Sequence, residues 1–145
     1  MDDLYHPRVL ELAAEIPHVG RLDAPDGSAT KVSRVCGSVV RVDLKLREGA
    51  VSAFAIDPKA CALGQAAASV LAQHAVGASA SEIRAAREAL KAMLKEGAPP
   101  PVGRFWELRH LEGVRNYPPR HASTMLAFDA AVAALDEAEA KAAVA

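Results

Sequence analysis

Residues 39–56 read VVRVDLKLREGAVSAFAI, and the first half of that stretch alternates. Val40, Val42, Leu44 and Leu46 fall on one side of an extended chain, with Arg41, Asp43, Lys45 and Arg47 on the other. A two-residue period predicts a half-buried strand over residues 39–47, its charged side facing water. Glu48-Gly49 is a turn signal. Residues 51–56 are short, apolar and β-branched at both ends, so they predict a returning strand and a hairpin. Upstream, residues 31–35 supply a third strand, joined through the CGS turn at residues 36–38, which makes an antiparallel meander with one covered face.

Working outward, residues 4–16 set Leu4, Val9, Leu10, Leu12 and Ala13 among polar residues and predict an N-terminal helix, followed by a loop at DAPDGS, residues 23–28. After Asp57-Pro58 the chain turns alanine-rich, and a helix is expected from near Cys61 to Gly77. Ser79 with Glu82 three residues on is a capping box for a second helix, whose apolar face is Ile83, Ala86, Leu90, Met93 and Leu94. Gly97 and the prolines at residues 99–101 break it. Residues 105–111 then predict one or two helical turns with Trp106 as a core anchor, and residues 113–121 a loop. A last helix is expected from about Arg120, carrying Met125, Leu126, Phe128, Val132 and Leu135, with residues 137–145 frayed. One helix, three strands and then helices indicate a single α+β domain over residues 1–145, with the helices packed on one face of a three-stranded antiparallel sheet.

The chain has 145 residues, a formal charge of −1 and interspersed charges of both signs. Nothing in it resembles a basic footprint for nucleic acid. The acidic N-terminal segment carries Pro7 and Pro17 and does not read as a signal peptide. No run of 18 apolar residues is present to span a membrane, so a cytoplasmic protein is expected.

Two cysteines in a chain able to close a core point to chemistry more than to a disulfide framework, with a single disulfide or two inert buried thiols as the alternatives. Cys36 falls in a tight turn before Gly37. Cys61 falls at a helix start, where unpaired backbone N–H groups and the macrodipole favour a thiolate and Lys59 adds to the effect, so Cys61 is expected to be the more reactive. The hairpin brings both to one end of the sheet. Two thiolates there could hold zinc or iron, but a full site needs about four ligands. The deficit directs attention to histidines. His6, His18, His74 and His110 have no partner at ligand spacing, while His121 reads either as a third ligand or as an exposed or capping residue at a helix start.

The CGS turn with the strand after it, then KACALGQAAASVL at residues 59–71, then LEGVRNYPPRHASTMLAFDAAVAAL at residues 111–135 resemble the IscU/NifU N-terminal family of iron–sulfur cluster assembly scaffolds. The segment at residues 82–114 looks like the insertion of the SUF-type, SufU-like branch. The resemblance implies a SufE/NifU-like fold and a site of three cysteines and an aspartate. Cys36 and Cys61 take the first two cysteine positions, Ser38 stands at the aspartate, and Ser123 stands at the third cysteine. A neutral hydroxyl is a poor ligand for iron or zinc.

Three readings follow from this departure. The site holds iron, an iron–sulfur cluster or zinc through Cys36, Cys61 and His121, with water, a small thiol or a second copy of the chain completing it. Or it accepts sulfur as a persulfide without a cluster. Or the protein is an adaptor with relic cysteines. The resemblance further implies a cysteine desulfurase as sulfur-delivering partner and iron–sulfur carrier or recipient proteins downstream. Stand-alone turnover of a small metabolite is not expected.

Overall fold

The computed structural model describes residues 4–144; residues 1–3 and 145 lie outside it. Helix α1 spans Pro7–Ala14, strands β1, β2 and β3 span Gly27–Ser33, Ser38–Arg47 and Ala50–Lys59, and helices α2 and α3 span Ala62–His74 and Ala80–Glu96. Two 3-10 segments, Gly103–Asn116 and Pro118–Arg120, lead into α4, His121–Val144. The sheet is antiparallel in the order β1-β2-β3.

The alternation in β2 does what its period demands. Val40, Val42 and Leu44 are fully buried and meet Phe54 and Ile56 of β3 and the helices. The hairpin turns on Glu48 and Gly49, both with positive φ, the two-residue geometry whose twist matches that of paired strands. Strand β1 lies earlier than the sequence indicates: its register pairs Gly27 with Leu44 and Ser33 with Ser38, leaving residues 34–37 as the turn. Backbone pairing with β2, together with α4 lying across β1, outweighs the turn-like composition of residues 27–28. Strand β3 also continues past Ile56 to Lys59, because Pro58 sits on an edge strand where a missing N–H costs no ladder bond.

The charged face of β2 is not simply wet. The chain after α1 pairs with the free edge of β3, where Ile56 N–H donates to the His18 carbonyl and Gly20 N–H to the Ile56 carbonyl, and then crosses the outer face to reach β1. Under this strap Asp43 is 1% exposed. Its carboxylate accepts from Ser28 Oγ at 2.7 Å, Leu22 N at 3.1 Å and Arg41 Nε at 3.0 Å. Burial pushes its pKa upward, but those hydrogen bonds outweigh burial and hold it below the usual carboxylate value. Replacing Asp43 by Ala should cost about 2–3 kcal/mol at pH 7 in urea unfolding, since three part-buried donors lose their acceptor. Because the folded-state pKa is depressed, this contribution is complete above the unfolded value near ~4 and fades as pH falls through the folded value. The gap between the two proteins should therefore narrow in acid; a gap that is constant from pH 7 to pH 3 would refute the assignment.

Helix α3 begins with the capping box read from the sequence, Ser79 and Glu82 bonding reciprocally, and ends at Gly97 in the left-handed conformation. Beyond it the structure departs from expectation. Residues 113–120 are mostly 3-10 helix and not open loop. Trp106 is 44% exposed, with the Arg109 guanidinium 5.2 Å from its ring, and Phe105 fills the core position instead, edge-on to Phe128 at 5.6 Å. Helix α4 continues to Val144, through the described part of the segment expected to fray. Among the described residues no helix is long and apolar enough to cross a membrane.

Candidate functional site

Val39 pairs with Lys59, so the β1–β2 turn and the start of α2 lie at the same end of the sheet. Cys36 is the third residue of the turn at residues 34–37, which closes with Gly37 N–H donating to the Ser33 carbonyl at 2.9 Å. Gly37 adopts φ 71°, a conformation open to glycine, with nothing within 4 Å of where a Cβ would stand. Cys61 is the N-cap of α2, in extended conformation and half-buried. Both thiols are free.

Serines surround them. Ser38 Oγ lies 2.9 Å from Cys36 Sγ, which in its thiol form also donates to Ser33 Oγ at 3.7 Å. On the other side Cys61 Sγ donates to Ser123 Oγ at 3.5 Å, and that hydroxyl donates to the Arg120 carbonyl. Ser123, on the first turn of α4, also makes a small contribution to lowering the Cys36 pKa. The two serines that the sequence resemblance sets at ligand positions thus stand beside the two cysteines in space. What holds α2 and α4 this close is Gly64, whose Cβ, if present, would lie 2.9 Å from the Ser123 carbonyl oxygen and 2.9 Å from Ala60 Cβ. A lone glycine inside an alanine-rich helix was the available sequence signal for that approach. Ser33 was likewise missed, since only the folded turn brings it to Cys36.

Cys36, in the β1–β2 turn, has a depressed pKa that the sequence did not announce. The Ser38 hydroxyl is its main cause; partial burial opposes it, and Ser33, the Ser38 amide and Ser123 assist, leaving the Cys36 thiol at about 7. Hydrogen bonds to a thiolate from a cluster of hydroxyls thus achieve what the sequence assigned to a helix terminus. Removing the strongest donor with Ser38→Ala should move the pH midpoint of Cys36 alkylation by iodoacetamide upward, toward an ordinary thiol. The rate at pH 7 should drop about three- to fivefold, the smaller thiolate population being partly offset by higher nucleophilicity. Peptide mapping separates Cys36 from Cys61, and an unmoved midpoint would remove Ser38 from this role.

His121 does not join this group. It is 8% exposed, and its Nε2 faces the carbonyls of Val114 at 3.0 Å and Arg115 at 3.2 Å, at the end of the long 3-10 segment. A nitrogen whose proton is donated to two carbonyls has no lone pair for a metal. The other ring nitrogen, Nδ1, keeps its lone pair, but the side chain is buried and caps the carbonyls that end the 3-10 segment, so of the sequence's readings it fits capping without exposure. Among the described residues no three His, Cys, Asp or Glu side chains are grouped to hold a metal ion.

The thiols, the two serines and the surrounding fold can now be set beside known proteins. No curated protein matches the chain. Among solved structures, the N-terminal part of a NifU-like protein from Brucella abortus is 50% identical, with 97% of each chain covered and a TM-score of 0.95. A protein from Fervidobacterium islandicum described as an iron–sulfur cluster assembly scaffold for the SUF system is 16% identical over 92% of this chain and 98% of its own. Its TM-score is 0.84, and at that identity it attests the fold alone. The model of the NifU-like N-terminal domain matches residues 4–103, a span that includes Cys36, Ser38 and Cys61. With that match and half of all residues identical to a relative over nearly its whole length, the chain belongs to the NifU-like N-terminal domain family of iron–sulfur cluster assembly scaffolds.

Proposed function

We propose that this protein serves iron–sulfur cluster assembly as a SUF-type scaffold-like component whose cargo, iron or an iron–sulfur cluster, is handled at Cys36 and Cys61. The observation that carries the reading is the meeting of two free thiols at one end of the sheet, one on an exposed turn and one capping a helix. A cysteine desulfurase would supply the sulfur, and carrier or recipient proteins would take the product. The donors on this chain are two thiols and two neutral hydroxyls, fewer than a complete zinc or cluster cage requires. A second copy of the chain or a small thiol would have to complete the set.

The test is anaerobic reconstitution with iron and sulfide, comparing the protein with its Cys36→Ser, Cys61→Ser double variant. Iron and acid-labile sulfide retained only by the unsubstituted protein are expected. Equal retention by both would remove the cysteines from the cargo site.

The hydroxyls favour a second reading, in which the same site accepts sulfur as a persulfide on Cys36 and holds no cluster. Its signature is no iron retained by either protein, with one added sulfur on Cys36 after exposure to a persulfide donor.

A further inference from the structure

Cys36 and Cys61 leave the sheet from neighbouring strands, one just before Val39 and the other just after its partner Lys59. Each sulfur has a hydroxyl beside it at that end of the sheet, Ser38 Oγ 2.9 Å from Cys36 Sγ and Ser123 Oγ 3.5 Å from Cys61 Sγ. The hydroxyls of Ser33, Ser38 and Ser123 that surround the sulfurs are neutral and bring no charge that would hold the thiols apart. The two thiols are mounted differently. Cys61 is fixed, because α2 packs against α4 through Gly64. Cys36 rides on a four-residue turn that is exposed throughout, beside Gly37 in open space. Disulfide geometry, with Cα atoms about 4.4–6.8 Å apart, is open to adjustment through that exposed turn while the helices stay in place.

We propose that the two thiols form a resolving pair: a sulfane sulfur carried on Cys36 is released as hydrosulfide when the Cys61 thiolate attacks Cys36 Sγ, leaving a Cys36–Cys61 disulfide. This rests on the sulfur-accepting reading above and adds the fate of the sulfur. In the step, the bond between the two Sγ atoms forms while the bond from Cys36 Sγ to the outer S–H sulfur breaks. The outer sulfur departs as HS⁻ with the electron pair. The sulfane sulfur is thereby reduced to sulfide, and the two cysteines are oxidised to a disulfide. A dithiol reductant then restores both thiols by exchange and is itself oxidised to a disulfide. The site would supply sulfide, the form of sulfur a cluster contains, without needing the missing metal ligands.

The experiment treats the full chain anaerobically with glutathione persulfide and reads sulfide release together with intact mass under non-reducing conditions. The unsubstituted protein should release sulfide and lose the mass of two hydrogens, with a peptide linking Cys36 to Cys61. Cys61→Ser, which keeps a residue favoured at an N-cap, should instead keep one added sulfur on Cys36 and lose the sulfide release. A stable added sulfur on the unsubstituted protein, or sulfur moved to Cys61 with no disulfide, would overturn the resolving step while leaving sulfur acceptance intact. Failure of Cys61→Ser to gain sulfur on Cys36 would overturn both.

Discussion

Gly27→Ala should strongly destabilise this protein. Gly27 opens β1 where that strand lies under α4, and a Cβ there would collide with the Ala134 carbonyl oxygen while standing 2.9 Å from its carbon and 3.0 Å from Ala138 N. Those obstacles are backbone atoms in the middle of a 24-residue helix, so no rotamer change relieves them. Either β1 lifts away from α4 or the helix shifts off β1 and β2, and both separate buried surfaces. The expected cost is about 3 kcal/mol or more, which for a chain of this length lowers Tm by roughly 6–12 °C. Gly37→Ala provides the contrast: its Cβ meets nothing within 4 Å, and only the φ of 71° is unfavourable. A Tm for Gly27→Ala within a degree or two of the unsubstituted protein would mean that β1 and α4 are not packed as described.

The contrast between these glycines also explains what the sequence could and could not show. Periodicity reveals which side of an element is apolar, and on that basis β2, the hairpin and the face of α3 were all legible. It does not reveal which backbone passes close to which. Residues 27–28 look like loop because Gly and Ser are poor strand formers, yet Gly27 is in the strand because α4 leaves room for nothing larger. Asp43 reads as the wet side of a strand, since nothing in its own segment announces a strap arriving from residues 18–26. The candidate site divides in the same way. Both cysteines and their shared end of the sheet follow from hairpin topology, and the serines follow from family resemblance. The placement of His121 depends on carbonyls at the end of a 3-10 segment that the sequence presents as loop.

If the two serines are what separates this site from a complete metal centre, then Ser38→Asp with Ser123→Cys should create one. Ser38 Oγ is already 2.9 Å from Cys36 Sγ and Ser123 Oγ 3.5 Å from Cys61 Sγ. The substitutions would therefore place a carboxylate and a third thiol beside the existing pair, giving the three-sulfur, one-oxygen donor set that zinc accepts in tetrahedral geometry. Both positions are buried, Ser38 at 3% and Ser123 at 0% exposed, so an unliganded carboxylate at position 38 carries a desolvation penalty. The double variant should accordingly be less stable than the unsubstituted protein in the presence of a chelator and regain more than that loss with zinc. Free zinc at about 100 times its dissociation constant contributes roughly 2.7 kcal/mol, a rise in Tm of roughly 5–10 °C. The unsubstituted protein, offering two thiols and two hydroxyls, should gain far less under the same titration. Ser123→Cys alone tests the order of importance: a third thiolate should recover most of the affinity, because sulfur is the stronger donor to zinc and the carboxylate mainly adjusts charge. Equal zinc stabilisation of the unsubstituted protein and the double variant would show that the serines do not limit metal binding, and the observation that favours sulfur acceptance as a second reading would go with it.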